Sequence, residues 1–196
     1  MKTKKTTENV TVEIKHRRSS SRKIAKHEAG HTLLALALGF PFEYVTIVSD
    51  SESRTTRGRL ESLPHIVEAT MENLLSGTLL SMGGLAGERV NRSKPGSITY
   101  GDAYVSGASG DWRMEYDILQ RYVPEDMIEP LIKRCFVRAW RLVKLYADVH
   151  TKLVEALLSK GTVSYEECSR IWEDRSDKGW SALDEVDAML GELDSA

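Results

Sequence analysis

The stretch KHEAGHTLLA, residues 26 to 35, brings His27, Glu28 and His31 into what reads as a single helix. Residues four apart lie on one helix face, so His27 and His31 project side by side. Two imidazoles at that spacing can bind one zinc ion at about 2.0–2.1 Å each. Glu28 would then face the open position of the metal. There it would take a proton from zinc-bound water as that water attacks a carbonyl, and pass it to the leaving amine. The competing reading is an amphipathic helix that carries two histidines and no metal. Gly30 sits mid-helix at a cost of about 1 kcal/mol relative to Ala, and close packing beside a metal is one reason for it.

A catalytic zinc needs a third protein ligand and an open fourth position. A further histidine six residues after His31 is excluded, because that position is Ala37. His16 falls in a basic segment, His65 follows Pro64 at a helix start, and His150 reads as lying on a charged helix face. The third ligand must then be a carboxylate, and Glu88, Asp102, Asp111, Glu115 and Asp117 are the candidates. Asp111 follows SGASG and opens a helix, where the dipole favours a carboxylate. A plain capping aspartate would look the same.

Five segments, spanning residues 20 to about 173, resemble in order the peptidase domain of the FtsH family, the AAA-linked zinc metalloproteases. IAKHEAGHTLLA resembles the family's HEAGH helix, and RGRLESLP the strand that follows it. SMGGLAGERV resembles its LGGRAAEEL helix, VSGASGDWRM its TTGASNDL segment, and LVEALLSKGTVSYEECSRI the close of its domain. The resemblance implies a zinc metalloendopeptidase in which His27, His31 and Asp111 hold one zinc ion and Glu28 is the base. Glu88 has two readings: it orients a ligand histidine or the metal site from outside the coordination sphere, or it is a helix residue paired with Arg89 or Arg92. By analogy with zinc peptidases generally, the strand with Arg57, Gly58, Arg59 and Leu60 would bind an extended peptide at its edge.

The chain departs from the family in four ways. It carries no GxxxxGK[ST] loop, no transmembrane anchor is expected in it, the family's AAEE is Gly87-Glu88-Arg89 preceded by Ala86, and the family's ND is Gly110-Asp111. ATP-driven unfolding is therefore not expected of this chain by itself, and the expected substrate is polypeptide already unfolded or extended. Further copies of the chain, as in the family's six-membered rings, and a separate ATPase or adaptor are the other expected partners. The rival functions are a non-catalytic or regulatory FtsH-like module that binds a protein partner, and a peptidase that cleaves one specific regulator.

The elements that must position these residues are mostly helical. A helix from about Arg22 to Leu38, capped at Ser19, Ser20 or Ser21 and closed by Gly39 before Pro41, carries the motif. A strand over 42–50 and a return strand over 59–64 follow, then a long apolar helix from about His65 to Val90. Residues 91–110, rich in glycine, read as a long loop. Helices over 111–122, 124–147 and 148–159 come next, then a turn and a last helix. The acidic tail from Ser176 fits a short amphipathic helix or disorder. The fold class expected is mainly α with a small β-hairpin (α+β), a zincin-like HExxH helix beside a C-terminal helical bundle. The division expected is a basic segment over 1–18 (strand or loose), a peptidase domain over 19–175 and the tail over 176–196.

Composition sets limits. The 196 residues carry a net charge of −2, which gives no general pull toward nucleic acid or anionic membrane. The only two cysteines, Cys135 and Cys168, make no disulfide framework and fit a reducing compartment. The first residues lack an apolar run typical of a secretory signal, and Leu33 to Val48 is too short and interrupted to span a bilayer. A cytoplasmic protein is the expectation.

Overall fold

The computed structural model describes residues 6–48, 58–62, 70–106, 108–176 and 182–194. Within them the chain is mainly helical, with one small antiparallel sheet. The first helix, α1 (Thr6–Leu38), ends where glycine requires it: Gly39 adopts φ +74°, and the Gly39 and Phe40 amides return to the Leu36 and Ala35 carbonyls. Its start differs from the sequence expectation. The three serines lie inside the helix and not at its start, so the segment read as a strand or loose is continuous with the motif helix from Thr6.

Strands β1 (Phe42–Thr46) and β2 (Arg59–Ser62) form the expected hairpin, with Val45 opposite Leu60. The expected strand end at Pro64 and helix start at His65 lie outside the described residues. Helix α2 (Met71–Arg89) begins after Thr70, whose hydroxyl accepts from the Asn73 amide. It runs unbroken through Gly77 and Gly83-Gly84. Helix α3 (Tyr100–Ser106) occupies part of the segment read as loop: the Asp102 carboxylate accepts from the Thr99 amide and hydroxyl and so closes its first turn.

Helices α4 (Ser109–Leu119), α5 (Glu125–Leu145) and α6 (Ala147–Lys160) follow, α4 starting two residues before the expected Asp111. The turn expected after α6 contains a third strand, β3 (Thr162–Ser164), which pairs with β1 and makes the sheet order β2-β1-β3. Helix α7 (Tyr165–Glu173) leaves from the Ser164 cap, and the tail forms α8 (Ala182–Asp194). Ala182, Val186 and Met189 of α8 are buried, and its buried Glu185 accepts from Arg138 of α5 at 2.7 Å. Cys135 and Cys168 are buried and unbridged. Among the described residues no helix is long and apolar enough to cross a membrane.

The crossing of α1 and α2 sets the site, and glycine permits it. A Cβ on Gly30 would lie 2.1 Å from the Gly83 carbonyl oxygen, and one on Gly87 would lie 2.2 Å from the Lys26 carbonyl oxygen. The two backbones therefore touch, which explains the mid-helix glycine better than propensity could. Gly30→Ala must push the helices apart and is expected to destabilise the protein by about 1–3 kcal/mol. At roughly 2–4 °C per kcal/mol, that is a fall in melting temperature readable by circular dichroism. Gly77→Ala is the control, because a Cβ there meets nothing within 4 Å. It should raise the melting temperature through its better helix propensity. A Gly30→Ala protein as stable as wild type would show that the helices do not meet this closely.

Candidate metal centre

The histidines of α1 are oriented by α2. His27 Nδ1 lies 2.9 Å from Glu88 Oε1, and His31 Nδ1 lies 2.8 Å from the Leu80 carbonyl oxygen. Both partners accept, so each Nδ1 carries a hydrogen and donates it, and each neutral ring is left with a lone pair on Nε2. The two Nε2 atoms face one another at 3.1 Å. Nothing bulky separates them from α2, because a Cβ on Gly84 would fall 2.4–2.5 Å from both rings.

Asp111 completes the group from α4. Its Oδ2 lies 3.1 Å from His27 Nε2 and 3.4 Å from His31 Nε2, yet it is buried with no hydrogen-bond partner. Asp111 is the third residue of α4, so it sits in the positive field of the helix start and does not cap it. With both rings neutral, three acceptor atoms converge at 3.1, 3.1 and 3.4 Å. Tetrahedral ligands at about 2.0–2.1 Å from one ion would be roughly 3.3 Å apart, so this donor set fits a single divalent cation. One proton could relieve one pair of these atoms; a metal ion relieves all three.

Charge follows the same geometry. Burial pulls the His27 imidazole down, but the Asp111 and Glu88 carboxylates flanking it prevail and push it up to about 10. Burial alone would raise Asp111, but the two imidazoles hold it well below the usual carboxylate range. Glu28 behaves differently. It is 5% exposed, and burial raises its carboxyl while the two imidazoles pull against that shift. It lies against the residue that leads into β2: a Cβ on Gly58 would meet Glu28 Cγ and Oε1 at 2.4 and 2.6 Å.

Of the residues singled out from the sequence, His27, His31 and Asp111 come together as one group. Glu88 bridges His27 and, at 3.6 Å, Lys23, and is not paired as the competing reading had it. Gly58 touches Glu28, while Arg59 and Leu60 lie on β2, with Arg59 donating to the Tyr44 hydroxyl at 2.8 Å. Arg57 lies outside the described residues. Among the other carboxylate candidates, Asp102 holds the start of α3, Asp117 lines an open cleft, and Glu115 is buried against α2.

His150 corrects the sequence reading: it lies in the core and not on a charged face, and its Nε2 donates to the Lys26 carbonyl at 2.9 Å. Its apolar neighbours in sequence, Val149, Leu153 and Val154, were the available signal. Gly84 was foreshadowed by the Gly-Gly pair inside a helix. The Leu80 carbonyl had no signal, because any residue type supplies one. Neither a family model nor a curated protein matches the chain.

Proposed function

We propose that this protein is a zinc-dependent metalloendopeptidase of the FtsH type, hydrolysing unfolded or extended polypeptide without ATP of its own. The observation that carries the reading is the convergence of His27 Nε2, His31 Nε2 and Asp111 Oδ2 at 3.1–3.4 Å, with both Nδ1 atoms committed elsewhere. Two imidazoles and one carboxylate are a donor set that suits zinc and leaves a position open. The motif-by-motif resemblance to the FtsH peptidase domain supports the same assignment.

Zinc, when bound, polarises a carbonyl and acidifies water. The remaining work falls to the chain itself. Glu28, buried and raised, can accept the proton of the attacking water and deliver it to the departing amine nitrogen as the C–N bond breaks. The small Gly58 lets the chain leading into β2 lie directly against Glu28. Within the described residues β2 is an outer strand of the sheet, so an extended substrate could pair with it and pass beside the base.

The test is metal dependence of cleavage. Purified protein should carry one zinc per chain and cut an unstructured casein substrate. A strong chelator should stop cleavage, and added zinc should restore it. Zinc-loaded protein that cuts no unstructured polypeptide overturns the catalytic reading, and protein that takes up no zinc overturns the metal centre.

A further inference from the structure

Helix α2 itself supplies the groups behind two of the ligands. Its Leu80 carbonyl receives the His31 ring and its Glu88 receives the His27 ring. Asp111 belongs to another helix, and one turn further along α4 stands Glu115, on the same face. Glu115 is 2% exposed. Its two oxygens both hydrogen-bond to α2: Oε1 is 2.6 Å from Thr78 Oγ1, and Oε2 accepts from Ser81 Oγ at 2.8 Å. No ion pair to it occurs among the described residues.

The hydrogens around Thr78 show what state Glu115 is in. Thr78 Oγ1 is also 2.7 Å from the Leu74 carbonyl, and a hydroxyl has one hydrogen. The carbonyl can only accept, so that hydrogen goes to Leu74, and the contact with Glu115 needs a proton from the carboxyl. Glu115 is then a neutral acid that donates through Oε1 and accepts through Oε2. Burial drives its carboxyl in the same direction.

Apolar side chains would pack α4 on α2 without the cost of burying a carboxyl. What they would lack is direction. Two short hydrogen bonds fix both the sliding and the rotation of α4 on α2, and ligand sites need placement to about 0.5 Å. Building on the metal reading above, we propose that Glu115 is a positioning residue, clamping α4 to Thr78 and Ser81 of α2 so that Asp111 stays at ligand distance from the two histidines. The sequence offered Glu115 only as a possible ligand; its place is behind one.

Glu115→Leu keeps the bulk and removes both bonds. Zinc affinity, measured by competition with a chromophoric chelator, should fall by about 10–100-fold, the range for groups that orient ligands. The visible spectrum of the cobalt-substituted protein should change with it. Glu115→Gln should bring both close to wild type, because its amide can donate to Thr78 and accept from Ser81. A folded Glu115→Leu protein with wild-type zinc affinity and cobalt spectrum overturns the proposal, and so does a Glu115→Gln protein that behaves like Glu115→Leu. If Glu115→Leu does not fold, Ser81→Ala removes one bond and little bulk, and unchanged zinc affinity there overturns the proposal. Wild-type protein that binds neither zinc nor cobalt would instead overturn the metal centre itself.

Discussion

Glu28→Gln is expected to leave zinc content and folding intact and to lower the turnover of an unstructured peptide by about 10²–10⁴-fold, the span that positioned proton transfer supplies. Two features separate it from the ligand variants. Glu28 lies outside the group formed by His27, His31 and Asp111, so its loss removes no donor from the metal. Glutamine also keeps its shape, which matters because the side chain is held against Gly58 with no room for a Cβ between them. The amide can neither accept the proton of the attacking water nor return one to the leaving amine. Folding should not suffer, because the carboxyl is buried, and a neutral amide avoids the cost of charge there. The pair of measurements is metal content and the initial rate on a fluorogenic peptide. A loss of less than about tenfold would place the base elsewhere.

The histidine pair was legible because helical geometry is local: four residues of separation fix a shared face whatever surrounds them. The end of α1 was equally local, written in Gly39 and Pro41. Its beginning was not. TENVTVEIKH is rich in β-branched residues, and three serines invite a cap, yet the helix runs through both. Extending a helix already nucleated by packed neighbours adds one hydrogen bond per residue fixed, and that outweighs weak local preference. β3, three residues long, is too short for periodicity to reveal and exists because β1 offers it a partner.

The site shows the same division between local and long-range information. His27 and His31 could be placed by spacing alone, whereas Asp111 stood out among five carboxylates only as the one opening a helix, where a capping role looks the same, and the FtsH resemblance was needed to name it as the ligand. Glu28 and Glu115 illustrate why residue type alone does not settle a role. Both are buried glutamates, but one faces a glycine and two imidazoles, and the other faces two hydroxyls. What each can do depends on its neighbours, and those neighbours come from helices distant in sequence.

Asp111→Ala should abolish stable zinc binding, with a loss of affinity exceeding the roughly 10–100-fold that an orienting residue costs, because it removes a donor outright. Two histidines would remain, one turn apart on α1, with Glu88 and Leu80 still holding their rings. That arrangement is a weak bidentate site, open on the side α4 now closes. The metal-free variant should stay folded, since the lost oxygen is buried with no hydrogen-bond partner. In wild type, zinc must displace the proton that Asp111 and Glu88 favour on His27, whose imidazole is pushed up to about 10. Wild-type affinity should therefore rise with pH across the neutral range. In Asp111→Ala one of the two carboxylates is gone, so the proton is held less tightly and the residual affinity should depend less steeply on pH. Calorimetric titration at three pH values reads both effects. An Asp111→Ala protein that binds zinc as tightly as wild type would exclude Asp111 as a ligand, and with it the three-atom convergence on which the metal centre rests.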